Sequence, residues 1–163
     1  MLTLTVLVAS LLASEAPPVE FRCDSLKVDS APGESSCEGN VVVVRGPVLM
    51  CCDTFQAQAN KDWQWETFQC TGNVRARRGN EFVWAKTATF ALEKSLITLS
   101  GSPMLRRGRS LMTGKRVTID LKNDQAQVAL PRGRITQDPQ EDEQSLYAPT
   151  LRSECPLPTP PTF

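Results

Sequence analysis

An eight-residue frame, written three times in full and once in part, limits what this chain can become. Gly39–Gly46 reads Gly-Asn-Val-Val-Val-Val-Arg-Gly, Gly72–Gly79 reads Gly-Asn-Val-Arg-Ala-Arg-Arg-Gly, and Gly101–Gly108 reads Gly-Ser-Pro-Met-Leu-Arg-Arg-Gly. In each copy Arg follows the opening Gly by six residues and a second Gly follows it by seven. The copies start 33 and then 29 residues apart, and a truncated copy, Gly133-Arg134-Ile135, opens 32 residues later. A period near thirty, held over most of a chain, marks a stacked array of small supersecondary units.

The second half of each unit repeats too. Cys52-Asp-Thr-Phe-Gln-Ala57 corresponds to Ala85-Lys-Thr-Ala-Thr-Phe90 and to Gly114-Lys-Arg-Val-Thr-Ile119, each opening six residues after the second Gly of its frame. Thr118, Asp120 and Lys122 alternate with Val117, Ile119 and Leu121, the period-two signature of a half-buried strand. No long segment carries a helical apolar period, so the expectation is all-β, each unit contributing a piece of sheet. Phe21–Val28 reads as a first edge strand, and Pro32-Gly33 as the turn after it.

Leu2–Ala13 is a run of apolar and small residues, too short for a membrane helix of about twenty residues and suited to a secretory h-region. Residues 1–16 are therefore expected to be a signal peptide, although no Lys or Arg precedes Arg22 and Pro17 would follow the cut. If the segment were retained, it would be an anchor. Six cysteines, Cys23, Cys37, Cys51, Cys52, Cys70 and Cys155, agree with export and disulfide formation. Cys51 and Cys52, as neighbours on one strand, should face opposite ways. Cys37 and Cys70 hold equivalent places in successive units, but an intervening strand would put them about 9–10 Å apart. Fifteen pairings are open.

Residues 17–136 form the repeated domain. Residues 137–163 are acidic, then Pro-rich, and offer too little apolar surface to offset chain entropy, which predicts a disordered tail in which Cys155 is either tethered by a disulfide or available to a partner. The formal charge of zero hides a segregation: residues 1–69 carry a net of −5, residues 70–134 a net of +9, and residues 135–163 a net of −4. Arg75, Arg77, Arg78, Arg106 and Arg107 dominate the basic block and are candidates for contact with an anionic ligand or for docking on the acidic end of another copy. The aromatic residues do not interleave with these arginines as a nucleic-acid stacking platform requires.

Catalytic chemistry has little to stand on. The chain has no His, the commonest general base and metal ligand, and no Cys-x-x-Cys pair. Paired carboxylates, a nucleophile elbow and a Gly-rich phosphate loop are likewise missing from its sequence. The expectation is a protein that is not an enzyme and uses no cofactor or metal.

The phrases Cys37-Glu-Gly-Asn-Val-Val-Val43 and Cys70-Thr-Gly-Asn-Val-Arg-Ala76, the Ala85-Lys86 and Gly114-Lys115 steps, and Leu99-Ser-Gly-Ser-Pro103 resemble the OstA/LptA family, the periplasmic bridge domain of lipopolysaccharide transport. The resemblance runs from about Leu26 to Ile135. It implies an open β-jellyroll, a trough-like folded sheet of many antiparallel strands, whose inner side chains hold the acyl chains of lipopolysaccharide. It further implies a place in the periplasm of a Gram-negative bacterium and domains joined edge to edge, with related jellyrolls of inner- and outer-membrane transport components as partners. Six cysteines and the acidic, Pro-rich tail depart from that pattern.

Strand alternation assigns the lining. Polar Asn73, Arg75 and Arg77 make Val74 and Ala76 the inward pair, and the repeat extends this to Val41, Val43 and Leu105. Phe55, Phe90, Leu96, Leu99, Val117 and Ile119 complete the expected lining, with Ala88 beside them; Trp84 fits either face, and Trp63, Trp65 and Phe68 form an aromatic cluster of unassigned role. Two other readings fit these residues. One is a structural β-repeat protein of the envelope with a filled core; the other is the periplasmic domain of a related transport component.

Overall fold

The computed structural model describes residues 17–29, 33–136, 151 and 154–161; the expected signal segment and residues 137–150 lie outside the described residues. Among the described residues twelve antiparallel strands make one sheet: β1 (Val19–Arg22), β2 (Ser25–Val28), β3 (Glu34–Arg45), β4 (Val48–Ala59), β5 (Trp65–Arg78), β6 (Glu81–Ala91), β7 (Leu96–Ser100), β8 (Met104–Arg107), β9 (Ser110–Thr113), β10 (Arg116–Asp120), β11 (Gln125–Ala129) and β12 (Arg132–Arg134). Four long strands, β3 to β6, run through the middle, and the sheet forks at both ends. The first half of β3 pairs with β2 and its second half with β1; the first half of β6 pairs with β8 and its second half with β7. Each long strand therefore belongs to two layers. One layer runs from β1 through these half-strands to β8, β9 and β12, and the other from β2 to β7, β10 and β11.

The crease between the layers is written by the repeated Gly-Asn. Pairing register breaks between Glu38 and Val41, between Cys51 and Thr54, and between Thr71 and Val74. Gly39-Asn40, Gly72-Asn73 and Gly101-Ser102 each place two consecutive residues at positive φ, at 80° and 46°, 81° and 47°, and 77° and 54°. Gly is required first in the pair because a Cβ on Gly39 would lie 2.6 Å from Asp24 Oδ2, and one on Gly101 would lie 2.5 Å from Lys86 Cβ. Asn40 and Asn73 then donate to Asp24 and Asp53, each at 2.8 Å. The opening glycines thus form β-bulges that bend the strand. The closing glycines, Gly46, Gly79 and Gly108, are the turn residues, starting two-residue hairpin loops with φ of 52°, 55° and 58°.

Asp24, Asp53 and Lys86 occupy one position of the repeat, so the array begins one step earlier than Gly39. Cys23-Asp24 is the counterpart of Cys52-Asp53, and it divides the expected single edge strand Phe21–Val28 into β1 and β2. The disulfides follow the same period. Cys23 bonds Cys37 and Cys52 bonds Cys70, each pair with a Cα separation of 5.7 Å, so every Cys of the Cys-Asp step is stapled to the Cys two residues before the next bulge. In the third unit those two places are Ala85 and Leu99.

The third disulfide, Cys51–Cys155, ties the tail to the sheet, the first of the two fates open to Cys155. Residues 154–161 lie against the outer face of the sheet, with Leu157 buried among Val42, Val44, Leu49 and Cys51. Arg75 donates to the Leu157 carbonyl and Trp84 Nε1 to the Pro158 carbonyl, both at 2.9 Å. A covalent tether removes much of the entropy cost that composition alone predicts for this segment. Cys51 and Cys52 do face opposite ways, one in this outer cluster and the other in the main core.

Candidate functional site

The inner faces of the two layers look at each other across an apolar interior. Val41, Val48, Met50, Val74, Ala76, Val83 and Leu105 of one layer form a single cluster with Phe55, Ala57, Phe68, Ala88, Ile97, Leu99, Val117 and Ile119 of the other. Ten of the eleven residues expected to line the trough belong to this cluster or pack against it. Leu96 is the exception. Ile97 and Leu99 are the inward residues of β7, registered against Ile119 and Val117, and alternation places Leu96 on the opposite face.

The interior is not uniform along its length. Where β7 and β10 cover β6, the side chains close on one another, and the cavity bounded by Ala76, Val83, Leu99 and Ile119 measures only about 10 Å³. Under β1, β2 and β3 a cavity of about 480 Å³ remains, within the range that holds small-molecule ligands. Its walls include Phe21, Leu26, Val28, Ala57, Trp63, Trp65, Phe68 and Leu92. Phe21, Leu26, Val28, Trp63 and Trp65 are each at least 43% exposed, so the cavity opens to solvent through an apolar rim. A ladder of rings leads inward from it: Phe21 to Phe55 at 5.8 Å, Phe55 to Phe68 at 5.3 Å and Phe68 to Phe90 at 6.4 Å, with Trp65 6.2 Å from Phe68.

Of the residues expected in the lining, Phe55 alone borders this large cavity. Val43, Phe55 and Phe90 border a constriction of about 40 Å³ behind it. The rim was obscured in the sequence because β1 and β2 precede the first full frame, and Trp63 and Trp65 stand around the turn after β4 where alternation lapses. Repeating the Cys-Asp step back to Cys23-Asp24 gives the signal that would have found it.

The arginines divide between faces. Arg75, Arg77 and Arg106 are on the outer face: Arg75 holds the tail carbonyl, and Arg77 and Arg106 stack over Phe82 at 5.0 and 4.5 Å. Trp84 is outward as well, 5.5 Å from the Arg106 guanidinium. Arg78 pairs with Glu81 and with Asp124, each at 2.9 Å, and Arg107 is exposed. The five candidates therefore do not form one cationic site. Arg45, absent from that set, is carried into the trough, where it borders both the large cavity and the constriction, its guanidinium 4.4 Å from the Phe90 ring centroid. Burial holds its pKa below the ordinary arginine value. Among the described residues no group of His, Cys, Asp and Glu could hold a metal ion.

A family model described as "LptA/(LptD N-terminal domain) LPS transport protein" matches residues 20–125, which cover every strand from β2 to β10. This chain belongs to that family. The LptA/LptD N-terminal-domain family is a non-catalytic transport family, so the chain is not an enzyme. No curated protein sequence matches it. Among solved structures, LptH of Pseudomonas aeruginosa, described as the LptA-homologous periplasmic component of the lipopolysaccharide transport device, aligns with a TM-score of 0.67. The identity is 14%, over 74% of this chain and 96% of LptH, and the likeness is one of fold. The open β-jellyroll expected from the sequence is thereby established.

Proposed function

We propose that this chain is a periplasmic lipid-carrying module that shelters acyl chains of lipopolysaccharide in its trough and passes them along towards the outer membrane. The supporting observation is the open apolar cavity of about 480 Å³ in a member of a lipopolysaccharide transport family. Each methylene moved from water into such a cavity contributes about 0.8 kcal/mol, so several carbons per chain give useful affinity without covalent chemistry. The rim of Trp63 and Trp65 admits the chain, and the ring ladder receives it.

Hand-over needs neighbours. β1 and β2 pair only with β3, while β11 pairs only with β10 and β12 only with β9, so both ends of the sheet present free strand edges among the described residues. Those edges suit strand addition by related jellyroll domains, or by a second copy joined head to tail. The acidic first end and basic last end favour the same polarity, and Arg107 remains exposed to serve it.

The test is mass spectrometry of the domain purified gently from a Gram-negative envelope, with photo-crosslinkers at Phe90 and at outward Arg75. The expected result is a lipopolysaccharide adduct at Phe90 and little at Arg75. A folded domain with adducts at neither position would favour a structural envelope repeat.

A further inference from the structure

The sixth residue after the opening Gly is Arg in all three frames, and its three copies meet different fates. Arg78 has a carboxylate three residues on, Glu81, and another across the trough, Asp124. Arg107 is followed at the same offset by Ser110 and stands in solvent. Arg45 is followed by Val48, an apolar residue of the trough wall, so its own hairpin supplies no anion. Its Nε donates to the Pro17 carbonyl at 3.2 Å, while its Nη1 is buried with no hydrogen-bond partner among the described residues. Among the described residues bordering the large cavity, Arg45 is the one that carries a charge. A buried, unpaired guanidinium nitrogen is costly, and a cation kept beside an apolar cavity is suited to an anion that arrives with an apolar body.

We infer that Arg45 is an anion-binding residue of the trough, selecting amphiphiles whose phosphate or carboxylate lies next to the acyl chain. This rests on the acyl-binding reading above and adds to it a choice of headgroup. The chain occupies the large cavity beside Phe21, Phe55 and Phe68, and the anionic group accepts hydrogen bonds from the Arg45 guanidinium, where the cavity meets the constriction. Phe90, stacked under that guanidinium, holds it in place when no ligand is bound.

Calorimetric titration of the domain with dodecyl phosphate and with dodecanol, each below its aggregation concentration, separates headgroup from chain. The parent should bind dodecyl phosphate at least about tenfold more tightly than dodecanol, as a charge-assisted hydrogen bond of about 1.5 kcal/mol or more requires. Arg45→Gln should abolish that preference and leave dodecanol binding unchanged, while Arg45→Lys keeps part of it. The Arg45 side-chain N–H resonance should shift with dodecyl phosphate and not with dodecanol, a readout that needs no variant. Equal affinities in the parent, or a preference that survives in a folded Arg45→Gln, would overturn the role of Arg45 while leaving acyl binding intact. If neither ligand binds, the acyl-binding reading fails and this inference fails with it.

Discussion

At its first end the trough encloses about 480 Å³ behind a rim of Phe21, Leu26, Trp63 and Trp65, whereas at its last end Leu99 and Ile119 meet Val83 and Ala76 around about 10 Å³. Both ends use one frame, one crease and one alternation. Two differences separate them. At the last end three strands, β7, β10 and β11, continue one layer beyond β6, while at the first end each layer stops after a single short strand on β3. The first two units are also stapled across their creases by Cys23–Cys37 and Cys52–Cys70, where the third has Ala85 and Leu99. A residue at a given place in the repeat is therefore core or candidate lining according to how much sheet covers it. An end that leaves its interior unfilled gains from covalent restraint, because it lacks packing to hold its shape.

The largest effect should come from truncating the closed end. Leu99→Ala, at a fully buried position, is expected to cost about 2–5 kcal/mol in chemical denaturation, whereas Leu26→Ala on the open rim should cost about 0.5 kcal/mol or less. Equal losses would erase the contrast between the ends. Replacing Cys52 and Cys70 together by Ala should cost about 3 kcal/mol, from the release of a loop with an 18-residue sequence separation. The reciprocal change, Ala85→Cys with Leu99→Cys, should form a third periodic disulfide, detectable by mass and thiol titration. Its net effect on stability should stay within about 1 kcal/mol, since the lost leucine offsets the gain.

Smaller effects refine how the closed end is sealed. Arg78→Gln removes the pairs to Glu81 and Asp124, the second of which reaches the turn after β10, and should cost about 1 kcal/mol. On that turn the Asn123 side-chain amide, the backbone N–H groups of Asn123 and Lys122, and the Lys122 charge hold the Asp120 carboxyl below its ordinary pKa. A lowered folded-state pKa stabilises at pH above the unfolded value, and the contribution is lost as pH falls through the folded one. NMR titration of Asp120 should find its midpoint below the ordinary carboxylate value, and Asp120→Asn should weaken the acid dependence of stability.

Much of this architecture can be read from residues alone, because a repeated Gly-Asn can repeat only if the backbone does the same thing each time. Alternation within the repeat correctly turns Val74, Ala76, Val117 and Ile119 inward. It gives Leu96 the wrong face where the sequence is scored by hydrophobicity, since Leu96 and Leu99 are an odd number of residues apart and Ile97 takes the inward place. The first unit is harder to see because it lacks the eight-residue frame and shows only Cys23-Asp24. Docking of Leu157 depends on Cys51–Cys155, a link across a sequence separation of 104 that no local pattern records. Arg45 looks like its counterparts Arg78 and Arg107 until the surroundings of all three can be compared.

The contrast between the two ends is tested most directly by NMR of the methyl-labelled domain with a fatty acid carrying a nitroxide spin label on its chain. The expected result is strong broadening of the Leu26, Val28 and Ala57 methyl signals, with those of Leu99, Val117 and Ile119 left sharp. Equal broadening along the whole trough, or broadening that begins at Val117 and Ile119, would contradict an interior that is open at one end and closed at the other.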